Sequence, residues 1–312
     1  QANFERFIKK KLIWQNVFLI RYDEVSGSNR TGTQSTSSAQ SGLFFTHKKL
    51  NAQAVLRAEF WNGAFQPISP FGSVRVEIIK NVFASIYGGY NYRLPSLNDR
   101  FWVPGGNINL QPESGWTGES AVYYSKSTKS ETMLIRFSGY SSTITNYIQW
   151  IPGAGGIWSP QNVKMVGISG LDVNANYAQQ RYKWFFAGQI NGSLNNATVK
   201  ESVVAGDESE GEQLIYQPKY KTAMGATLGY AGCNVHADYK YTSAVATSYD
   251  GSTKDIAAFQ IVDVSLSKSF QLKKLRFTAI AAANNIANQS YQTIPYFPMQ
   301  GRNFSFTLKI SI

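Results

Sequence analysis

The stretch GRNFSFTLKISI (301–312) alternates without a break: Phe304, Phe306, Leu308, Ile310 and Ile312 are apolar, and Asn303, Ser305, Thr307, Lys309 and Ser311 are polar. Successive side chains of an extended chain point to opposite faces, so this pattern predicts a strand with one oily face and one wet face. The same period recurs upstream. In VFASIYGGYNYR (82–93), Val82, Ala84, Ile86, Tyr90 and Tyr92 oppose Ser85, Tyr87, Asn91 and Arg93. In QIVDVSLSKS, Val262, Val264 and Leu266 oppose Asp263, Ser265 and Ser267, and in GLDVNANY, Leu171, Val173, Ala175 and Tyr177 oppose Asp172, Asn174 and Asn176. Roughly 14 such segments can be counted, each near the 9–11 residues that a tilted strand needs to cross a bilayer.

The connections carry a second signal, because short and long ones take turns. Short turns are expected at 48–51, 80–81, 125–131, 179–183, 231–234 and 271–274, and long polar loops at 23–41, 61–72, 94–116, 152–162, 195–219, 242–257 and 287–302. A meander with tight turns on one rim and long loops on the other is the layout of an antiparallel up-and-down transmembrane β-barrel. Composition agrees. Aromatic residues reach 14% and charged residues only 16%, against roughly 25% charged in an ordinary soluble domain. No stretch approaches the ~20 apolar residues of a spanning helix.

Lys and Arg exceed Asp and Glu by 30 to 19, a formal charge of +11. Nucleic-acid binding would require those cations on one clustered face; here they are spread through the short turns, where they suit phospholipid phosphates, so no nucleic acid is expected. Cys233 is the single cysteine, which excludes an internal disulfide and a cysteine-based zinc site. His47 and His236 are far apart in sequence, and His236 shares the polar face of its strand with Asp238 and Lys240; lumen-wall polarity is the simpler reading, and no metal or cofactor is expected. No catalytic constellation stands out, and GDESEGE (206–212) lacks the ligand spacing of a calcium loop. The chain opens on QANFERFIKKK with no apolar leader, so either a leader was removed or the natural start lies elsewhere.

Three stretches, which hold four motif elements in order, resemble the TonB-dependent outer-membrane receptor family. Arg93, Pro95, Ser96 and Leu97 match its Arg-x-Pro-Ser/Thr strand end, and Asn107, Leu110, Pro112 and Glu113 match the Asn-x-x-Leu-x-Pro-Glu element that opens the next strand. Asn285, Ile286, Asn288 and Tyr291 are similar to the Asn-Leu-x-Asn-x-x-Tyr element, and Pro298, Gly301 and Arg302 to the Pro-x-x-Gly-Arg opening of the terminal strand. The family usually ends on an aromatic residue, where this chain has Ile312.

The resemblance implies an all-β fold in which residues 1–312 form the C-terminal portion of a 22-stranded barrel, with the plug and the TonB-contacting segment absent. Its implied function is energised uptake of a scarce nutrient (ferric siderophore, cobalamin or haem) across the Gram-negative outer membrane, without enzymatic chemistry. Expected partners are outer-membrane lipid, the missing plug and N-terminal barrel half, TonB through that absent region, a small nutrient ligand and a surface lipoprotein. A passive 14-stranded porin and a soluble β-rich binding protein are the competing readings.

From the residues themselves, Pro95 and Pro112 lack a ladder donor and should bound strands, Gly301 should permit a tight turn, and Arg302 should pair with a carboxylate or a lipid phosphate. The terminal strand should close the barrel against the first. The aromatics Phe101, Trp102, Tyr147, Trp150 and Trp158, with Asn107 and Asn109, are the ligand-binding candidates, because rigid amphipathic rings bind with little loss of entropy; girdle or loop packing is the alternative.

Overall fold

The computed structural model describes residues 2–9, 11–152, 157–202, 208–251 and 254–311. Parts of the loops expected at 152–162, 195–219 and 242–257, the start of the 206–212 segment and Ile312 lie outside these residues. The strands are β1 (Ala2–Lys9), β2 (Leu12–Gly27), β3 (Arg30–His47), β4 (Leu50–Trp61), β5 (Ala64–Phe65), β6 (Ser69–Ile79) and β7 (Val82–Arg93). A one-turn helix, α1 (Leu97–Phe101), precedes β8 (Glu113–Ser127), β9 (Glu131–Pro152), β10 (Trp158–Arg181), β11 (Trp184–Ser202), β12 (Tyr220–Tyr230) and β13 (Cys233–Thr242). β14 (Phe259–Leu272), β15 (Leu275–Asn284), the short pair β16 (Gln292–Ile294) and β17 (Phe297–Pro298), and β18 (Asn303–Ser311) complete the chain.

One antiparallel sheet of 16 strands runs through the molecule, each long strand pairing with the next. The count exceeds the expected 14 by β1, which opens the chain, and by the two-residue β5. Among the described residues β18 pairs with β15 and β1 with β2, and no ladder joins β1 to β18. The expected closure of the terminal strand on the first is therefore not what the structure has. The sheet is open.

Side-chain polarity is inside out. Phe304 and Phe306 are 75% and 72% exposed and Leu171 is 59% exposed, whereas Glu59 is 2% exposed. Cross-strand register lines up the oily residues in continuous rows, such as Leu266 beside Ala281 beside Phe306. The opposite face carries Asp172 beside Ser193 and Asp238 beside Asp263. Val262 is half-buried on the oily face, next to Tyr239. Burial of polar atoms with exposure of apolar ones suits a wall with hydrocarbon outside and water inside.

Every expected short turn is present, and several tighten to two residues, at 48–49, 80–81, 182–183, 231–232 and 273–274. Parts of several expected long loops are instead strand, among them 195–202 in β11, 69–72 in β6 and 113–116 in β8. Residues 23–41 form the outer halves of β2 and β3, paired from Asp23 with Gln34 to Gly27 with Arg30. Residues 158–162 continue β10, paired with 148–152 of β9. Polar Thr- and Ser-rich segments read as loop when hydrophobicity is the guide, but ladder hydrogen bonds belong to the backbone and extend wherever a neighbouring strand offers partners. At 3.3 Å per residue the 24 residues of β10 span roughly 80 Å, far beyond a ~30 Å hydrocarbon layer. The excess is a wall carrying the loops.

Candidate functional site

The long-loop rim is organised around α1. Ser96 caps the helix: its Oγ accepts from the Asp99 amide at 3.1 Å, and its own amide donates to Asp99 Oδ2 at 2.9 Å, a reciprocal capping box. Asp99 is buried, and its other oxygen accepts from Trp150 Nε1 at 3.0 Å, tying α1 to β9. Below it, Arg93 donates from Nε and Nη2 to the two carboxylate oxygens of Glu113, both at 2.7 Å. Glu113 Oε1 also accepts from the Ile148 amide at 2.7 Å. A bidentate pair with a third donor holds the start of β8, the end of β7 and the β9 extension in one register.

The segment between α1 and β8 is fastened along its length. Asn107 Nδ2 donates to the Pro160 carbonyl at 3.1 Å, and its Oδ1 accepts from the Asn109 amide at 3.0 Å. The Gln111 amide donates to Asn162 Oδ1 at 2.8 Å, and Asn162 Nδ2 returns a bond to the Gln111 carbonyl at 3.0 Å. Leu110 and Pro95 are fully buried beneath. From the other side, the β2–β3 hairpin tip docks on the loop: Asn29 O accepts from the Val103 amide at 2.7 Å, and Arg30 bonds the Asn98 side chain.

These contacts sort the ligand candidates. Phe101 is packed: its ring lies against Gly32, where a Cβ would overlap it, and the Arg100 guanidinium lies 4.7 Å from its centroid and 5.0 Å from that of Trp61. Burial holds the Arg100 guanidinium below its ordinary value. Tyr147 packs against a small core of Val166 on β10, Ala197 and Val199 on β11, and Leu214. Trp150 and Asn107 spend their polar groups on the loop itself. Trp102, Trp158 and Asn109 remain exposed.

Trp158 and the α1 loop are in direct contact, because a Cβ on Gly105 would overlap the Trp158 carbonyl and lie 3.3 Å from Ile157 Cγ2. Ile157 adjoins this contact, and Val103 and Ile108, in the same loop as Gly105, are exposed like it. Sequence reasoning missed these three aliphatics; the signal was present as apolar residues set in Gly- and Pro-rich polar segments, FWVPGGNINL (101–110) and GGIWSP (155–160). The result is an apolar surface on a pinned loop, able to take a large amphiphilic or planar molecule.

The other motif residues hold the last loop. Asn285, at φ 49°, donates to the Gln289 carbonyl and accepts from the Gln289 amide, both at 2.8 Å, while its own amide donates to Asp263 Oδ1 at 2.8 Å. Asn288 Oδ1 accepts from the Arg302 amide at 2.9 Å, and Tyr291 packs on Phe259 with ring centroids 4.7 Å apart. Gly301, expected to permit a tight turn, stands just ahead of β18, and a Cβ there would lie 3.0 Å from Asn288 Oδ1, so its bareness makes room for that bond. Arg302 does not make the expected pair. Its Nη1 reaches the Ile286 carbonyl at 3.4 Å, and no carboxylate pairs with it among the described residues. On the lumen face His236 bonds Thr227 Oγ1 at 2.8 Å and Asp238 Oδ2 at 2.7 Å. Among the described residues no cluster of three His, Cys, Asp or Glu side chains could hold a metal.

Comparison with known proteins agrees with this geometry. A family model described as TonB dependent receptor-like, β-barrel matches residues 14–286. The vitamin B12 transporter BtuB of Vibrio vulnificus is 26% identical over 231 residues, covering 70% of this chain and 33% of that protein. The BtuB of Photobacterium profundum is 28% identical over 198 residues, covering 61% and 29%. Among solved structures, the FrpB iron transporter from Neisseria meningitidis (F3-3 variant) superposes with a TM-score of 0.71 at 11% identity, over 98% of this chain and 53% of that one. The Serratia marcescens haemophore receptor HasR, solved with its haemophore HasA and haem, gives 0.69 at 13% identity, over 97% and 56%. The chain thus spans about a third of these curated relatives and about half of these solved structures.

Proposed function

Because this chain belongs to the TonB-dependent receptor family, through its β-barrel domain, we propose that it forms the C-terminal part of the barrel of an outer-membrane receptor for a scarce nutrient. A ferric siderophore, cobalamin or haem is the substrate class, and uptake is energised through TonB acting on a plug and N-terminal barrel half that complete the molecule. The barrel wall performs no covalent chemistry: it spans the membrane, encloses water and carries the loops.

The observation that supports this reading best is the inverted polarity of the sheet, with Phe304, Phe306 and Leu171 turned out and Glu59 turned in. A soluble barrel would hide the first three. Capture is assigned to the apolar surface around Trp102 and Trp158, with Asn109 as a polar contact at its edge. Phe101, Tyr147, Trp150 and Asn107 support that surface from beneath. A surface lipoprotein is a further partner in this reading, covering the loops from outside.

The test is ligand binding by the intact receptor, purified in detergent, against cobalamin, haem and ferric siderophores. One of these should bind, and Trp102→Ala with Trp158→Ala should weaken it by about tenfold or more, the loss expected when a central aromatic anchor is truncated. Unchanged affinity in the double variant would remove the loop surface from the proposal. Failure of every ligand to bind would remove the nutrient classes.

A further inference from the structure

Trp61, at the end of β4, shares a face with Glu59, and both are buried, at 8% and 2% exposed. That is the inner face of the sheet. The cross-strand partner of Trp61 on β3 is Thr36, and Gln34 and Gly32 follow on the same face at the period of two. Phe101 packs on Gly32, so the end of α1 lies over this corner of the inner wall. Arg100 enters the corner as well. Its guanidinium stands between two rings, 5.0 Å from the centroid of Trp61 and 4.7 Å from that of Phe101.

The corner holds more donors than acceptors. Arg100 Nε and Nη1 are buried without a hydrogen-bond partner among the described residues, and the same holds for Trp61 Nε1. Buried polar groups are nearly always bonded. The rings attract the charge, but guanidinium hydrogens lie in the plane of the group, so rings on its faces do not receive them. The carboxylates closest in sequence are engaged elsewhere. Glu59, two residues from Trp61, is bonded by Arg57, and Asp99, next to Arg100, accepts from Ser96 and Trp150. Gln34 Oε1 is also buried and unbonded, which adds an amide to the same face.

We propose that this corner is an anion site, in which Arg100 and the Trp61 N–H receive a carboxylate or phosphate oxygen and Gln34 adds a neutral contact. The planar fork of an arginine matches either group. The identity of the carrier rests on the receptor reading above: the captured nutrient presents a free anionic oxygen, and an uncharged chelate is disfavoured.

The experiment is calorimetric titration of the intact receptor, in non-ionic detergent, with inorganic phosphate and with succinate. One of the two should saturate a single site. Arg100→Gln should weaken that binding by about tenfold or more, as for truncation of a buried charged partner. Arg100→Lys should weaken it several-fold, because a point charge replaces the fork. Trp61→Phe should also cost several-fold, because the ring stays and the N–H is lost. Lys219→Gln, at an exposed loop cation, should change nothing. No saturable binding of either anion, the result expected if an acidic side chain of the remaining barrel half already fills the corner, would overturn the inference. So would an Arg100→Gln variant that binds like the unaltered receptor, or an equal loss in Lys219→Gln. Heat-modifiable migration reports the folding of each variant; if Arg100→Gln fails to fold, Trp61→Phe decides. A nutrient that binds the receptor should expel the anion, and one that binds without expelling it would separate the corner from capture and overturn the assigned carrier. Anion binding with no nutrient bound at all would leave the site standing and remove the receptor reading.

Discussion

Asp99 and Glu113 each answer several donors, and this decides how firmly the outer loops are held. Asp99→Ala removes the reciprocal cap of α1 and the Trp150 bond together. The expected cost is about 1 kcal/mol, read as faster hydrogen exchange in residues 96–102 and 148–152 with the barrel unfolding transition unmoved. Glu113→Gln keeps the shape but loses the charge that receives Arg93 and the Ile148 amide. The pair is half exposed on the Arg93 side, so the loss should be moderate, about 1–2 kcal/mol, and confined to the junction of β7, β8 and β9. Arg93, Pro95, Leu110, Pro112 and Glu113 were recognisable in the sequence as motif residues, because their order along the chain was enough to identify them. Their partners were not. Asp99 meeting Trp150 spans 51 residues, and nothing in either segment names the other.

At the scale of elements, strand identity was legible and strand length was not. Alternation revealed β7, β10, β14 and β18 because lipid demands apolar residues on one face. That demand ends beyond the apolar face, so the outer parts of β2 and β3 (DEVSG and the Ser-, Thr- and Gln-rich stretch 30–41) and the start of β10 (WSPQN) look like loops. Gly115 shows the tolerance inside such a stretch: a Cβ there would lie 2.7 Å from the Thr143 carbonyl carbon and 3.1 Å from Ile144 Cα. These are backbone atoms of β9, which cannot swing aside. Gly115→Ala should therefore part β8 from β9 at this point and lower the yield of folded barrel several-fold, as measured by the heat-modifiable band on a gel. Gly192, where a Cβ would meet nothing within 4 Å, provides the control; Gly192→Ala should leave that band unchanged.

For the whole molecule the governing quantity is which face meets hydrocarbon. Leu266 points outward and is 51% exposed, while Ser265 is half-buried on the lumen face next to it. Leu266→Arg should cost about 2–4 kcal/mol in lipid vesicles, and Ser265→Arg less than about 1 kcal/mol, by urea unfolding of the intact receptor. Equal costs would mean that the faces are assigned the wrong way round. The open sheet, with β1 and β18 each paired on one side among the described residues, belongs to this scale as well. The chain covers about half of the solved receptors it superposes on, and the proposed remainder of the barrel would meet those two strands. What sequence alone determined here was the period of two, the alternation of short and long connections and the family motifs, because each is written in neighbouring residues and imposed by the solvent on either side of one strand. Only the tertiary structure decided where the strands end, that Phe101, Tyr147 and Trp150 are partly buried while Trp102 and Trp158 stay exposed, and that no ladder among the described residues joins β1 to β18. Those outcomes depend on contacts between segments tens of residues apart, whose relative positions exist only once the sheet has formed.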